Sequence, residues 1–309
     1  MGYLSFKKIF FIVQYKKIIS GVTFMKLIKK LIWTILIIVL VVLLVTVGGY
    51  IFVRAKYNID LYNSVKALKT INEKVDESTI APNAITSLDI ENAKEQTDMS
   101  VPGLIFVDGE GNYHISMGGT LSPMTASIKL ADNQVAAIAE NILQNQMNGA
   151  IKVGSNDVKV NILQISFSNI ADGGATVNMV IKLDLKNIKQ SMNKFPFTLL
   201  KKFIPDTLYI SSTFNVSKTG NAFEYTVSHN KLTLNKLTAE ETADTFKTLD
   251  VIAKVGSVEN FNKNLGTMFM DALVGTESSN GLAYSLKALG ATDYTFETIS
   301  NINYFVVQI

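Results

Sequence analysis

The chain of 309 residues, 48% apolar and 18% charged, is long enough for one large or two small domains, and its lack of cysteine excludes disulfides, thiolate metal sites and a cysteine nucleophile. Nine of its 29 Lys and Arg residues lie in the first 56 residues, which contain no acidic residue, so the remainder has 20 basic and 26 acidic residues. This distribution argues against nucleic acid as a partner, because phosphate contacts need clustered basic side chains.

The first predicted element is a transmembrane helix at residues 31–53, LIWTILIIVLVVLLVTVGGYIFV, which has 23 residues and no charge. At about 1.5 Å per residue it can cross a hydrocarbon core about 30 Å thick. Seven lysines precede it in a basic tail at residues 1–30, which predicts a cytoplasmic N-terminus and a C-terminal bulk outside the cell membrane. The run is too long for the apolar core of a signal peptide, and residues 46–49 form a poor cleavage site. We therefore predict an uncleaved, single-pass signal anchor; a buried core helix is the alternative.

The residues before Met25 allow two interpretations. The segment FKKIFFIVQYKKII is basic and aromatic, and could lie on anionic lipid as an interfacial helix. Met25 begins a more conventional signal anchor, MKLIKKLIW, so the true start could be either Met1 or Met25.

Residues 54–100 connect the anchor to the rest of the chain. Apolar residues three or four apart from Tyr62 to Val75 predict a stalk or docking helix that ends near Glu77. Residues 78–100 are polar and contain Pro82, which predicts a linker.

Residues 101–309 are predicted to form an extracytoplasmic α+β domain in which helices pack on a curved antiparallel sheet. The glycine-rich segment Asp108–Asn112 predicts a hairpin turn, and an apolar stripe after Asp132 predicts a helix. Thr238 and Glu241 form a capping box that predicts another helix. Further helices are expected at 258–275 and 280–289, and strands at 158–162, 177–185, 208–216, 223–227 and 294–309. Polar residues alternate with the apolar ones at 177–185, which predicts one buried face and one face in water.

Several motifs suggest catalysis or metal binding, but their spacing or their missing partner residues argue against such sites. Ser191–Lys194 matches S-x-x-K and Lys218–Gly220 matches K-T-G, but they lie 27 positions apart, too close to enclose the β-lactamase fold. Asp108–Asn112 lacks the distal glutamate of a calcium loop. His114 and His229 are the only histidines, have no metal-ligand spacing, and are predicted to be strand residues facing solvent. We therefore predict no enzymatic activity, no cofactor and no metal.

The segment Lys194–Pro205 combines three phenylalanines with three lysines. It could dip into a bilayer or gate an apolar groove. A short helix packed on the sheet with its lysines in water is the alternative, and we favour it.

Two short motifs resemble the YpmS-like proteins, single-pass membrane proteins of Gram-positive bacteria. One is Leu130–Val135, LADNQV, a leucine followed by small or acidic residues and a helix; the other is the strand at Ile204–Ser212, IPDTLYISS. The resemblance covers about residues 125–235 and carries over no catalytic residue; after Thr238 this chain has more helix. More distantly, the layout resembles tubular lipid-binding domains, which implies helices against a long curved sheet and an apolar groove for acyl chains.

These observations favour a membrane-anchored, non-enzymatic protein that binds a lipid or a lipid-linked envelope component. An interaction or scaffold protein of an envelope assembly is the alternative, with an envelope protein as partner; a sensor is weaker, because the cytoplasmic part is too short for an output domain. Ordinary core is the competing interpretation for every groove candidate. The candidates are apolar side chains of two strands and one helix: Val177, Met179, Ile181, Leu183, Leu208, Ile210, Phe214, Met268 and Phe269.

Overall fold

A computed structural model describes most of the chain after residue 24. The described residues are 25–33, 35–37, 61–116, 121–146, 148–153, 155–193, 201, 204–253, 256–279 and 281–309. They form an α+β fold in which helices pack on curved antiparallel sheets, as the sequence predicts. Lys194–Pro205 lies largely outside the described residues.

The elements follow one another in mixed order. Helices α1 to α8 are Leu61–Ile71, Glu77–Ile80, Ser87–Asp98, Asp132–Asn141, Lys186–Ser191, Ala239–Ala253, Val258–Leu273 and Leu282–Ser285. Strands β1 to β10 are Ile105–Val107, Tyr113–Ile115, Ile128–Ala131, Ala150–Val153, Asn156–Ala171, Gly174–Asp184, Thr207–Lys218, Tyr225–Leu234, Asp293–Ile299 and Ile302–Gln308. A π-helical turn, Ile142–Gln146, extends α4, and a 3-10 turn, Leu286–Leu289, follows α8.

The largest sheet has five antiparallel strands in the order β4-β5-β6-β7-β8. Alternation along each strand sends apolar side chains to one face and polar side chains to the other. In one row Ile181 of β6 stands between Ile162 and Ile210. In a row of the opposite face Asn178 stands between its partners on β5 and β7. We call the apolar side the inner face and the polar side the outer face.

A second sheet has the order β3-β10-β9. The C-terminal residues predicted as extended form a β-hairpin here, turned at Ser300 and Asn301, whose φ angles are 51° and 65°. Its buried aromatic side chains reach the first sheet, because the rings of Phe296 on β9 and Phe167 on β5 meet edge to face at 4.9 Å. The two sheets therefore share one core.

The predicted capping box of α6 is confirmed. The amide of Glu241 donates to Thr238 Oγ1 at 3.1 Å, and the amide of Thr238 donates to Glu241 Oε2 at 3.0 Å. Helices α4 and α7 also form where the apolar stripes predict them.

The linker predicted at 78–100 is wrong for its second half, which forms α3. The amide of Thr86 donates to Asp89 Oδ2 at 2.7 Å, and Ile90 and Ala93 are buried on the core side. A stripe of isoleucine, alanine and threonine is too weakly apolar to stand out in the sequence, although it suffices once a neighbouring surface is present. Helix α1 forms in the described part of the predicted stalk but ends at Ile71, before the predicted end near Glu77, and its Leu68 and Ile71 are buried in the core.

The first described segment, residues 25–33 and 35–37, is helical. Its side chains Ile28, Leu31, Ile32 and Ile35 are 0–2% exposed and belong to the same cluster of buried side chains as the sheet. Trp33 is 43% exposed. Residues 38–53 of the predicted anchor, and residues 1–24 with the question of the start, lie outside the described residues. Within the described part of the chain, no helix is both long and apolar enough to span a membrane.

Candidate functional site

The candidate site is the apolar layer on the inner face of the five-stranded sheet, part of which lies under helix α7. Cross-strand pairing sets groove candidates of β6 directly beside those of β7. The paired candidates are Val177 with Phe214, Ile181 with Ile210, and Leu183 with Leu208. These six side chains are all 0% exposed, and Met179, which faces Ser212, is 2% exposed.

Helix α7 packs on the β7 and β8 part of this layer with the buried stripe that contains Phe261, Leu265 and Phe269. The ring of Phe269 lies 5.9 Å from that of Phe214, so this candidate joins the seven strand residues. Met268 does not join them: it is half-buried and lies outside the buried stripe, because each helical residue turns the side chain by about 100°.

The inner face extends further than the sequence suggested. Val160, Ile162 and Phe167 of β5 pair with candidates of β6 and are buried, as are Leu232 and Leu234 of β8. The alternation of apolar residues at 158–162 predicted the first part of β5 from the sequence. The register that aligns these side chains with β6 and β7 depends on pairing, including β-bulges between Ile162 and Gln164 and between Thr213 and Phe214, which no local pattern reveals.

Helix α7 approaches the sheet closely at Gly266. A Cβ atom built there would lie 2.7 Å from the ring of Phe214 and 2.8 Å from a methyl group of Val227. Carbon atoms at ideal contact are about 3.5–4.0 Å apart, so only glycine allows the helix to lie this close.

A buried polar node fixes α7 within the apolar layer. Asn262 is 0% exposed and accepts at Oδ1 from Ser212 Oγ at 2.5 Å. Its Nδ2 donates to the carbonyl of Thr213 at 2.7 Å, to His229 Nδ1 at 2.8 Å and to the carbonyl of Lys231 at 3.2 Å. Because a buried amide without partners is costly, this node holds α7 in one register on β7 and β8.

A second polar contact holds the C-terminal half of α7. Tyr225 Oη donates to Asp271 Oδ1, and burial together with this neighbouring carboxylate raises the pKa of Tyr225. The phenol therefore stays neutral and a donor throughout the physiological range. Helix α7 is pinned to β8 at two places about two and a half turns apart.

The outer face of the same sheet carries a different chemistry. Thr213 Oγ1 donates to Asn178 Oδ1 at 2.9 Å, so neighbouring strands are linked by uncharged polar side chains. Nearer the other end of these strands, Glu77 of α2 receives Lys182 Nζ at 2.5 Å and Tyr209 Oη at 2.9 Å. The hydrogen bond from Lys182 is the main cause that lowers the pKa of Glu77, while burial, assisted by Glu77, raises the pKa of Tyr209 to about 12.

One half-buried carboxyl group lies away from the apolar layer. Glu140 of α4 receives the amide of Ile162 at 2.5 Å and the side-chain amides of Asn161 and Gln144, each at 2.8 Å. Burial raises its pKa. Since its oxygens satisfy backbone and amide donors at the bulge of β5, its role is to complete the edge of the sheet.

The remaining motifs are placed in structural roles. Asp108–Asn112 is the turn of the β1-β2 hairpin, where Asp108 Oδ2 bonds to His114 Nε2 at 2.7 Å. His114 and His229 lie in strands as predicted, but both are half-buried and bonded, so the prediction that they face solvent is wrong. Ser191 lies beyond the Thr207 end of β7 and Lys218 at its other end, so S-x-x-K and K-T-G do not meet.

Among the described residues, no group of three or more His, Asp or Glu side chains could hold a metal ion. Comparisons with protein-family models, with curated proteins and with solved structures find no match for this chain. The site is therefore argued from its own geometry.

Proposed function

We propose that the protein is a non-enzymatic, membrane-anchored component of the cell envelope whose extracytoplasmic domain binds a lipid or a lipid-linked molecule. The single observation that carries the proposal is the inner face of the sheet, an uncharged and largely apolar surface that extends over β5, β6 and β7 and is interrupted at Ser212. Acyl chains are recognised by surfaces of this kind, because their binding is driven by removal of apolar area from water.

Entry of an acyl chain between α7 and the inner face at β7 and β8 requires α7 to move. The side chains on both sides are almost fully buried, so a ligand must displace the helix from its seat on Phe214. The node at Asn262 and the bond from Tyr225 to Asp271 are the polar contacts that such a movement breaks. Lipid binding is therefore expected to compete with these contacts.

The anchor is proposed from the uncharged run at residues 31–53 and its basic flank. The anchor keeps the lipid-binding domain next to the bilayer that contains its ligand. A lipid extracted from that bilayer has to travel only the length of the connecting segment to reach the domain. Tethering of this kind raises the effective concentration of the domain at the membrane surface.

Native mass spectrometry of the full chain, purified from its own membranes, tests the proposal. Two adjacent residues on opposite faces of β6 provide a matched pair, Met179→Trp on the inner face and Asn178→Trp on the outer face. The wild type and Asn178→Trp are expected to carry a lipid mass, and Met179→Trp to lose it, because an indole fills the apolar layer.

Thermal unfolding of both tryptophan variants shows whether they keep the fold. Wild-type chain that has only the mass of the polypeptide, after release from native membranes into a mild detergent, contradicts the proposal. Lipid retained equally by a folded Met179→Trp variant places the lipid elsewhere and contradicts the role of the inner face.

A scaffold function is the second candidate, supported by exposed apolar side chains around α3 and β1. Leu88 is 57%, Met99 66%, and Phe106 and Val107 each 44% exposed. Photo-crosslinking from position 106 in cells is expected to capture one stoichiometric envelope protein, and Val107→Ser to reduce the yield. Crosslinking from Ile302, which is 47% exposed on β10, is the control; equal capture from both positions would exclude a specific surface.

A further inference from the structure

The helical segment of residues 25–33 and 35–37, called the docked segment, is amphipathic. Its buried side chains, at positions 28, 31, 32 and 35, follow the i, i+3, i+4, i+7 spacing of one helix face. Lys26, Lys29 and Trp33 are exposed on the remaining surface. The segment therefore contributes to the core of the domain as an ordinary packed helix does.

The docked segment overlaps the uncharged run proposed as the anchor. Leu31, Ile32 and Ile35 belong both to the buried stripe and to the run. Without residues 31–37, the run keeps 16 residues, which span about 24 Å as a helix and fall short of a hydrocarbon core of about 30 Å. A full crossing therefore requires part of the buried stripe to enter lipid.

The next described element is attached to the same core. Leu68 and Ile71 of α1 are 2% and 0% exposed and belong to the same cluster of buried side chains as the docked segment. A single crossing between the two would place them on opposite sides of the bilayer. Docking of the stripe and insertion of the run are therefore mutually exclusive.

We propose that the docked segment is an internal occupant of the domain's apolar core, and that insertion of the anchor frees this place for an acyl chain. The inference rests on the proposed function, since it requires the anchor and a lipid ligand. Whether the segment docks or the anchor inserts is determined when the chain first meets a membrane. Conversion of the docked state into the inserted state at a later stage would carry Lys29 and Lys30 across the bilayer. The segment resembles an acyl chain in the property that matters, an uncharged aliphatic surface.

Two features of the chain make the experiment direct. Trp33 is the only tryptophan, so its fluorescence reports the position of this segment alone. The full chain is synthesised in a cell-free system with or without vesicles of phosphatidylcholine and phosphatidylglycerol, part of the phosphatidylcholine being brominated. Binding of cis-parinaric acid, a fluorescent fatty acid, measures access to the apolar site.

Two variants shift the balance between the docked segment and the inserted anchor in opposite directions. Ile28→Lys combined with Lys29→Ile moves a lysine into the buried stripe at constant composition and charge, and leaves residues 31–53 intact. Leu43→Lys places a charge in the middle of the run and leaves the buried stripe intact. Circular dichroism confirms that each variant folds.

With vesicles, wild-type Trp33 is expected to shift its emission to shorter wavelength and to be quenched by brominated lipid. In Leu43→Lys, Trp33 is expected to stay open to aqueous acrylamide, with loss of parinaric acid binding. Without vesicles, the double variant is expected to bind more parinaric acid than the wild type.

Two results would overturn the inference alone. One is undiminished parinaric acid binding by Leu43→Lys; the other is Trp33 that stays open to acrylamide in wild-type chain that floats with the vesicles. If the wild type neither floats with vesicles nor binds parinaric acid in any form, the proposed function itself fails. The readings from the wild type and Leu43→Lys decide the matter even if the double variant does not fold.

Discussion

The two faces of the five-stranded sheet belong to the same strands but are stabilised by different interactions. On the inner face Phe214 is 0% exposed beneath α7, whereas on the outer face its neighbour Thr213 is half-buried and bonded to Asn178 at 2.9 Å. The inner face is stabilised by burial of apolar area, and the outer face by modest polar contacts that compete with water. Changes on the inner face should therefore affect both stability and ligand binding, and changes on the outer face neither strongly.

The sharpest test of this difference is the adjacent pair at positions 214 and 213. Phe214→Ala is expected to lower the free energy of unfolding by about 3–5 kcal/mol, because it removes a buried ring and leaves a cavity under α7. Thr213→Ala is expected to cost less than about 1 kcal/mol, the scale of one partly solvated hydrogen bond. Urea unfolding of the full chain in mild detergent measures both. Similar losses at the two positions would refute the difference between the faces.

Asn262 tests the polar node that interrupts the inner face. Asn262→Ala is expected to cost about 2–4 kcal/mol, because the buried hydroxyl of Ser212 and three partly buried groups lose their partner together. Lys263→Ala, at the exposed neighbouring position, is the control. A loss no larger than that of the control would mean that water replaces the amide and that the node does not hold α7.

Gly266 tests how closely the helix must approach the inner face. Gly266→Ala is expected to cost about 1–2 kcal/mol, since the clash with Phe214 outweighs the gain of about 1 kcal/mol in helix propensity. Asn264→Ala, on the exposed side of α7, should be neutral or slightly stabilising. Equal stabilisation by both alanines would show that the helix can lift without penalty.

Thr242 of α6 is the one buried side-chain polar atom without a hydrogen-bond partner in the described part of the chain. Thr242→Val keeps the shape and is expected to raise the free energy of unfolding by about 1 kcal/mol, because the hydroxyl is desolvated without compensation. Thr245→Val removes a hydroxyl that donates to the carbonyl of Glu241 at 2.7 Å, so it should not stabilise. Stabilisation by both would point to apolar content alone.

The contribution of Glu77 to stability on the outer face can be tested by its dependence on pH. Its pKa is lowered in the folded protein by the hydrogen bond from Lys182, so its contribution is present above the unfolded pKa and is lost as pH falls through the folded value. The pair is partly exposed, so Glu77→Gln is expected to cost only about 0.2–1 kcal/mol at neutral pH. The difference from wild type should vanish in acid.

Glu95→Gln, at an exposed position on α3, is the control for that titration. Unfolding curves measured between pH 3 and pH 8, a window chosen around the ordinary glutamate pKa of about 4.3, give the comparison. A Glu77→Gln effect that persists unchanged in acid would show that charge pairing with Lys182 is not its cause.

The α+β class and most elements of the domain could be predicted from local patterns. Alternation in Val177–Leu185, broken at Val180, identifies β6 and its apolar side, since the side-chain period of a strand is two. The capping box at Thr238 and Glu241 identifies the start of α6, because its two hydrogen bonds join residues three apart. Such signals are carried within a few residues and need no partner.

Other features depend on contacts between distant residues. Helix α3 is stabilised by contact with neighbouring surfaces, which cannot be predicted from its weakly apolar stripe. Asn262 forms a buried polar node only because Ser212 and His229 lie opposite it. The position of Met268 outside the apolar layer depends on how α7 is rotated on the sheet. Register, helix rotation and close approach are properties of packing, which a linear pattern does not encode.

All nine groove candidates could thus be identified as apolar side chains of regular elements from the sequence alone, together with the uncharged run and its basic flank. Only the tertiary structure decided that eight of them share one layer, that Gly266 sets its thickness, and that Ile28, Leu31, Ile32 and Ile35 belong to the core. The physical reason is that hydropathy measures the tendency of a side chain to leave water, and the place to which it goes is chosen by the surfaces available to it.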